Sequence, residues 1–178
     1  MSYTVLTEYG QVARYTEQVS KLADENKQAF GFLAASVYEQ MALKEQLWIV
    51  SDDIGKLKGY LMFGGTMPRV KIFQLYVRPN ARGDGIGRIL IEALIDHSNV
   101  RNFHTISARV ASDLPANKFW EHMGFVISRQ DKGGETKNRK INIRAYPLID
   151  NDLFGKVDEN NFSLTPSGPI LSRDSYCL

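Results

Sequence analysis

Apolar residues recur at helical spacing through Val12, Tyr15, Val19, Leu22 and Ala23, and again through Phe30, Leu33, Ala34, Val37 and Met41. This predicts two successive amphipathic helices whose stripes face a core. TVLTE (Thr4–Glu8) reads as a first strand ahead of them. The pattern then changes period. LWIVS (Leu47–Ser51) and KGYLMFG (Lys58–Gly64) are short apolar runs separated by Asp52, Asp53 and Gly55, which predicts a hairpin, and Val70–Val77 extends the same sheet.

Helical spacing returns at Ile86, Ile89, Leu90, Ala93 and Leu94, with Arg88, Glu92 and Asp96 on the other side, so this helix is expected to pack on the sheet. HTISARVA (His104–Ala111) reads as a strand. Ser112 or Asp113 is the expected cap of the next helix, Pro115 suits its first turn and Gly124 its end. Phe125–Gln130 and Lys140–Leu148 form a closing pair of strands around a polar loop. The predicted order is β-α-α-β-β-β-α-β-α-β-β, an α/β chain without an internal repeat.

A chain of 178 residues that is 43% hydrophobic suits one compact domain with a sizeable core. Its apolar runs fall far short of the roughly 20 residues that span a bilayer, and MSYTVLTEYG has no basic stretch leading into an apolar core, so a cytoplasmic location is expected. The single Cys177 excludes an intramolecular disulfide and a cysteine metal site. A net charge of +2 is too small to imply a nucleic-acid surface. That charge is uneven: residues 150–178 carry Asp150, Asp152, Asp158, Glu159 and Asp174 against Lys156 and Arg173, a net of −3 that leaves +5 for residues 1–149. Such an excess suits an anionic ligand, and solvated lysines explain it equally well. The stretch 150–178, rich in Asn, Asp, Ser, Pro and Gly, reads as a linker or wrapping arm, either ending the chain or leading toward a further domain.

The densest chemical signal is FQLYVRPNARGDGIG (Phe73–Gly87), an apolar strand running through a glycine turn into a helix. Glycines permit positive φ and close approach of the backbone, while the free amides and dipole of the following helix attract phosphate. A Rossmann fingerprint fails, because after Gly83 and Gly85 the third glycine would fall on Arg88, and no Walker P-loop is present. Arg82-Gly83-Asp84-Gly85-Ile86-Gly87 resembles the R/Q-x-x-G-x-G/A pattern of the GNAT family of N-acetyltransferases. A second block, ARVASDLPANKFWEHMGF (Ala108–Phe125), is similar to that family's strand, helix and closing G-F. Together the two blocks and the element order extend the resemblance over Tyr3–Leu148.

The resemblance implies a mixed, mostly antiparallel sheet, splayed between its fourth and fifth strands, with helices on both faces. It further implies that acetyl-coenzyme A enters the splay, its diphosphate on the turn from Arg82 to Arg88, its pantetheine arm paired with backbone of Leu75 and Val77, and Asp113, Asn117 and Trp120 along the groove. A backbone amide at Leu75 would polarise the thioester carbonyl, an oxyanion role. Two positions depart from the family. Trp120 stands where a Tyr often protonates the leaving thiolate, and an indole N–H has no accessible acid function, so Trp120 is expected to pack or shape the groove. Asp113 stands where Asn is frequent and reads as a helix cap.

No carboxylate matches the family's base position, where this chain has Lys71. Glu39, Tyr38, His104 and His122 are candidates by chemistry alone, each with an ordinary structural alternative. The resemblance places the acceptor among Phe30, Phe32, Tyr38 and the Lys132–Lys140 loop. That loop's lysines would suit an acidic acceptor such as tRNA, ranked below a protein or small-molecule amine, and a homodimer is compatible with the family. Three functions compete: an acetyl-coenzyme A-dependent N-acetyltransferase working by direct attack, a degenerate module that binds the acyl-coenzyme with little chemistry, and a nucleotide-binding α/β protein. An acceptor of low amine pKa, such as an α-amine near 8, needs less help than a lysine near 10.4, and so ranks first.

Overall fold

A computed structural model of the protein describes residues 3–133 and 139–148. Seven strands form one sheet: β1 (Tyr3–Leu6), β2 (Leu47–Asp52), β3 (Leu57–Thr66), β4 (Arg69–Val77), β5 (Thr105–Ala111), β6 (Val126–Lys132) and β7 (Lys140–Pro147), in the order β1-β2-β3-β4-β5-β7-β6. Every neighbouring pair is antiparallel except β4 and β5. The helices are α1 (Tyr9–Val12), α2 (Thr16–Glu25), α3 (Lys27–Phe30), α4 (Ala35–Leu43), α5 (Ile86–Val100) and α6 (Ala116–His122).

One face of the sheet packs on α5 and α6, where Leu61, Ile72, Leu75, Ile86, Leu90 and Trp120 belong to one buried cluster. The other face packs under α1 to α4, where Val19, Leu22, Phe30, Tyr38, Tyr60 and Tyr76 form a second. This is the two-faced burial that the helical stripes imply. Neither stripe is a single helix: in the first, Val12 ends α1, Tyr15 lies in a 3-10 turn and α2 starts at Thr16, and the second is broken as well. Gly31 at φ 74 ends α3, residues 31–34 are non-helical, and α4 starts at Ala35. Phe30 and Leu33 are buried from outside α4, and Ala34 is exposed. Similarly, α6 is entered through Pro115 with no side-chain cap, so neither Ser112 nor Asp113 caps it.

The β4–β5 pairing positions the site. It runs only from Arg69↔Thr105 to Ile72↔Ala108, and beyond that rung the two parallel strands are unpaired with each other. On its other edge β4 stays paired to β3, with a bulge: Met62 faces Gln74 while Phe63 faces Ile72, so Phe73 is the extra residue. The bulge inverts the strand's phase. Val70 and Ile72 point into the α5 cluster before it, and Leu75 does so after it. The seat of α5 is a close approach: a Cβ on Gly59 would lie 2.7 Å from the Tyr76 carbonyl and 3.0 Å from Ile86. Glycine there lets the first residue of α5 sit against the C-terminal end of β4.

Candidate active site

The turn between β4 and α5 has the conformation that the glycines allow. Gly83 and Gly85 take φ values of 92° and 81°, and a Cβ built on either meets nothing within 4 Å. The space on the side-chain side of both glycines is open. Gly85 is the left-handed residue that starts α5, and no side chain caps that start or places a carboxylate in its first turn. The first amides of the helix are therefore available to a ligand. Gly87 is different, since it is helical and its Cβ would lie 3.1 Å from the Phe119 ring, so its role is close packing of α5 on α6.

Side chains around the turn are anchored rather than loose. Arg82 donates from Nε to the Val77 carbonyl at 3.2 Å. Asp84 accepts a hydrogen bond from the Tyr3 hydroxyl, which ties the turn to the edge strand β1, and this bond raises the phenol's pKa. Arg88 lies 3.2 Å from Nε2 of His122 across α5 and α6. Ile86 is buried beneath the turn.

Leu75 and Val77 lie on the part of β4 that β5 has left, Leu75 buried and Val77 half-buried. Across the opening the predicted groove residues divide. Asn117 is spent inside the protein. Its Nδ2 donates to the Ala111 carbonyl at 2.8 Å and the Leu114 carbonyl at 2.9 Å, and its Oδ1 accepts from Asn142 at 2.9 Å and from Arg144 at 3.1 Å. It therefore pins the end of β5 to α6 and β7 and holds the groove wall from behind. Asp113 is exposed and accepts from Arg139 Nε at 2.7 Å, an interaction that holds its carboxyl below the ordinary range. Trp120 is fully buried, edge-on to Phe119 and Phe125 at 5.3 and 4.9 Å, with its indole N–H unpartnered. Arg144, 1% exposed, was not foreseen from the sequence, and it also bonds the Phe125 carbonyl and Glu121.

The candidate bases do not converge. Glu39 and His104 are exposed, and His104 stands at the closed end of the β4–β5 pair, away from the turn. Tyr38 is buried and accepts from Gln74 Nε2 at 3.3 Å, while Gln74 in turn accepts from Tyr60 at 3.0 Å. Burial raises the Tyr38 pKa, which makes it a poor base. Phe30 lies in the buried aromatic cluster and Phe32 is 70% exposed beside it. In the acceptor loop, residues 134–138 lie outside the described residues, as does the stretch 150–178. A cavity of about 250 Å³ lined by Phe63, Val70, His97 and Arg101 lies at the C-terminal end of α5. A helix of that length puts it roughly 20 Å from the glycine turn, so it is no part of this site. Among the described residues there is no cluster of metal ligands, and no helix is long and apolar enough to cross a membrane.

An open glycine turn beside parallel strands that part after four rungs is the arrangement to be compared with known proteins. Residues 12–125 match the acetyltransferase (GNAT) family, and the chain belongs to it. It is 32% identical over 88 residues to the L-methionine sulfoximine/L-methionine sulfone acetyltransferases of Pseudomonas aeruginosa and Pseudomonas paraeruginosa, covering 46% of this chain and 51% of theirs. The chain thus spans about half the length of the curated relatives it matches. Among solved structures, Ard1 from Thermoplasma volcanium superposes with a TM-score of 0.70 at 15% identity, covering 84% of this chain and all of that one. The yncA protein of Salmonella typhimurium, whose structure holds acetyl-CoA, gives 0.69 at 20% identity, covering 84% and 96%. These likenesses show the fold.

Proposed function

We propose that this chain transfers the acetyl group of acetyl-coenzyme A to a free α-amine. The observation that carries the reading is the conjunction of the open positive-φ turn at Gly83 and Gly85 with the loss of β4–β5 pairing after Ile72 and Ala108. The turn offers amides to a diphosphate, and the unpaired edge of β4 offers backbone groups at Leu75 and Val77 to the pantetheine arm, as an added strand would use them. In this reading the amine nitrogen attacks the thioester carbonyl carbon, the N–C bond forms, the C–S bond breaks, and coenzyme A leaves as thiolate. The Leu75 amide polarises the carbonyl oxygen, a contribution of about 3 kcal/mol where such donors have been removed. The proton shed by the amine passes to water and finally to the thiolate, because Trp120 has no acid to give.

The lack of a converging base among the described residues favours an acceptor whose amine loses its own proton near neutrality, and an α-amine near 8 does so where a lysine near 10.4 does not. The names of the curated relatives point the same way, since L-methionine sulfoximine and L-methionine sulfone are α-amino acids. Catalysis is preferred to a binding-only module on the family match and on those relatives. The test is transfer of labelled acetyl from acetyl-coenzyme A to a panel of α-amino acids, N-terminal peptides, N-blocked lysine peptides and tRNA. Labelling of α-amines, rising with pH up to the amine pKa, is expected. Preferential labelling of the lysine peptides at pH 7 would sink the ranking, and coenzyme binding with no labelling of any acceptor would sink the catalytic reading.

A further inference from the structure

At the closed end of the β4–β5 pair, α4 and α5 stop in the same way. Each is followed by a left-handed residue, Glu45 at φ 54° and Asn102 at φ 56°. The next residue then folds back on the last turn: the Gln46 amide donates to the Met41 carbonyl at 2.8 Å, and the Phe103 amide to the Ser98 carbonyl at 3.0 Å. Such ends occupy helix carbonyls that would otherwise repel an anion. Corresponding residues of both helices line one cavity of about 250 Å³: the C-caps Lys44 and Arg101, and the folded-back Gln46 and Phe103. Phe63 and Val70, both buried, form its apolar wall, and Gly64 and Gly65 leave the adjoining backbone bare.

Lys44 and Arg101 bring two positive charges to this cavity against one carboxylate, Glu45, and none of the three forms an ion pair among the described residues. Arg101 donates to His97 Nδ1 at 2.9 Å, which fixes that imidazole as neutral, because a guanidinium can only donate. Its other donors have no acceptor among the described residues, and the side-chain amide of Gln46 makes no hydrogen bond to them. On the apolar side, Trp48, Phe63 and His97 stand edge-on to one another at 4.8, 5.0 and 5.5 Å, a packing that a further ring extends. A base at a helix C-cap is favourable by itself. Two of them on one ring-lined cavity, with no carboxylate joined to either, also suit an anion that carries a ring. We propose that this cavity binds a small aromatic carboxylate, its ring against Phe63 and Phe103 and its carboxylate on Arg101, Lys44 and the Gln46 amide. The guanidinium fork takes a carboxylate with two parallel bonds. A cavity of about 150 Å³ admits benzene, so this one holds a single ring with a short acidic arm and is far too small for a coenzyme. It lies at the other end of α5 from the glycine turn, and the inference does not depend on acetyl transfer.

The test follows the amide resonances of the full chain through titrations with phenylacetate, its neutral counterpart phenylacetamide, and acetate. Phenylacetate should bind saturably, shifting Phe63, Gly64, Gly65 and Phe103 while leaving Gly83 and Gly85 unmoved, and should bind equally well with coenzyme A present. Removing the charge or the ring should weaken binding about tenfold, the effect of one lost charge-assisted hydrogen bond or a comparable apolar contact. Arg101→Gln and Lys44→Gln, both at exposed positions, should each weaken phenylacetate by a similar factor and leave phenylacetamide unchanged. Failure of phenylacetate to saturate overturns the proposal, and so does equal binding of phenylacetamide. Shifts centred on Gly83 and Gly85 that coenzyme A abolishes overturn it as well. If both variants, shown folded by thermal melting, bind phenylacetate as tightly as the parent, the two bases serve only to cap their helices and the proposal falls.

Discussion

Replacing Gly85 with alanine separates the anion cradle from the stability of the fold. Gly85 sits at φ 81° and ψ 4°, and a Cβ there meets no atom within 4 Å, so the substitution adds conformational strain without a clash. Left-handed backbone costs an L-residue roughly 1–2 kcal/mol, and alanine recovers about 0.4–1 kcal/mol by restricting the unfolded chain, leaving a net loss of about 1 kcal/mol. For a domain of this size that lowers Tm by about 2–4 °C. Coenzyme binding should suffer more, because the added methyl projects into the space where phosphate oxygens would meet the α5 amides. Loss of one hydrogen bond to a charged group, about 1.5–3 kcal/mol, weakens Kd about tenfold or more. Titration calorimetry with coenzyme A and a thermal melt read the two effects separately. A variant that melts a few degrees early yet binds coenzyme A within twofold of the parent would refute the placement of the diphosphate on this turn. Gly87→Ala is the control: its φ is helical and alanine favours the helix by up to about 1 kcal/mol, but its Cβ presses on Phe119 at 3.1 Å, so it reports α5–α6 packing instead.

Trp120→Phe should keep most of the turnover at saturating substrate: the smaller ring leaves a void, but the change also deletes a buried unpaired N–H that itself costs about 1–3 kcal/mol, so stability should move by no more than about 2 kcal/mol. A hundredfold fall in kcat with fold and coenzyme affinity unchanged would contradict this. His97, edge-on to Trp48 and Phe63 and bonded to Arg101, has its pKa lowered from 6.5, first by burial and then by the Arg101 charge. The unfolded state therefore takes up the proton first, so this contribution to stability is present above pH 6.5 and lost as pH falls below it. His97→Phe should flatten the drop in Tm across that window, and an unchanged drop would show that other groups carry it.

Much of this architecture was legible because burial imposes a period. The strands and the helices α5 and α6 were placed to within a few residues, and the glycine turn was found because positive φ at Gly83 and Gly85 leaves few alternatives to glycine. Where the pattern misled, the cause is local backbone or burial on two sides. Gly31 breaks a stripe that continues across it, because Phe30 and Leu33 remain buried after the helix has ended. In β7, Lys140-Ile-Asn-Ile-Arg alternates as though one face were wet, but α6 covers that face, so Asn142 and Arg144 are buried and bonded to Asn117. The sequence reading accordingly missed Arg144 and assigned Asn117 to coenzyme contact, although its amide is committed to the protein.

The phase of β4 connects these observations. An unbroken strand would place Ile72, Gln74 and Tyr76 on one side, yet Ile72 lies in the α5 cluster, Gln74 bonds Tyr38 of α4, and Tyr76 lies under α1 to α4. The odd residue at Phe73 resolves the conflict, with its ring resting over Gly64, where a Cβ would come within 2.9 Å. Gln74 is then a fully buried amide bonded to two tyrosines, an arrangement that resists sliding the bulge along the strand, since any slip would bury Gln74 against Leu61 and Leu90 without partners. The bulge lies at the rung where β5 departs, so one irregular residue both flips the side chains and coincides with the end of sheet pairing. Leu75, two residues on, owes its orientation to that slip in register. In the transferase reading, the chemistry at the Leu75 amide therefore depends on residues on the far face of the sheet, and Gln74 is the side chain through which that dependence runs.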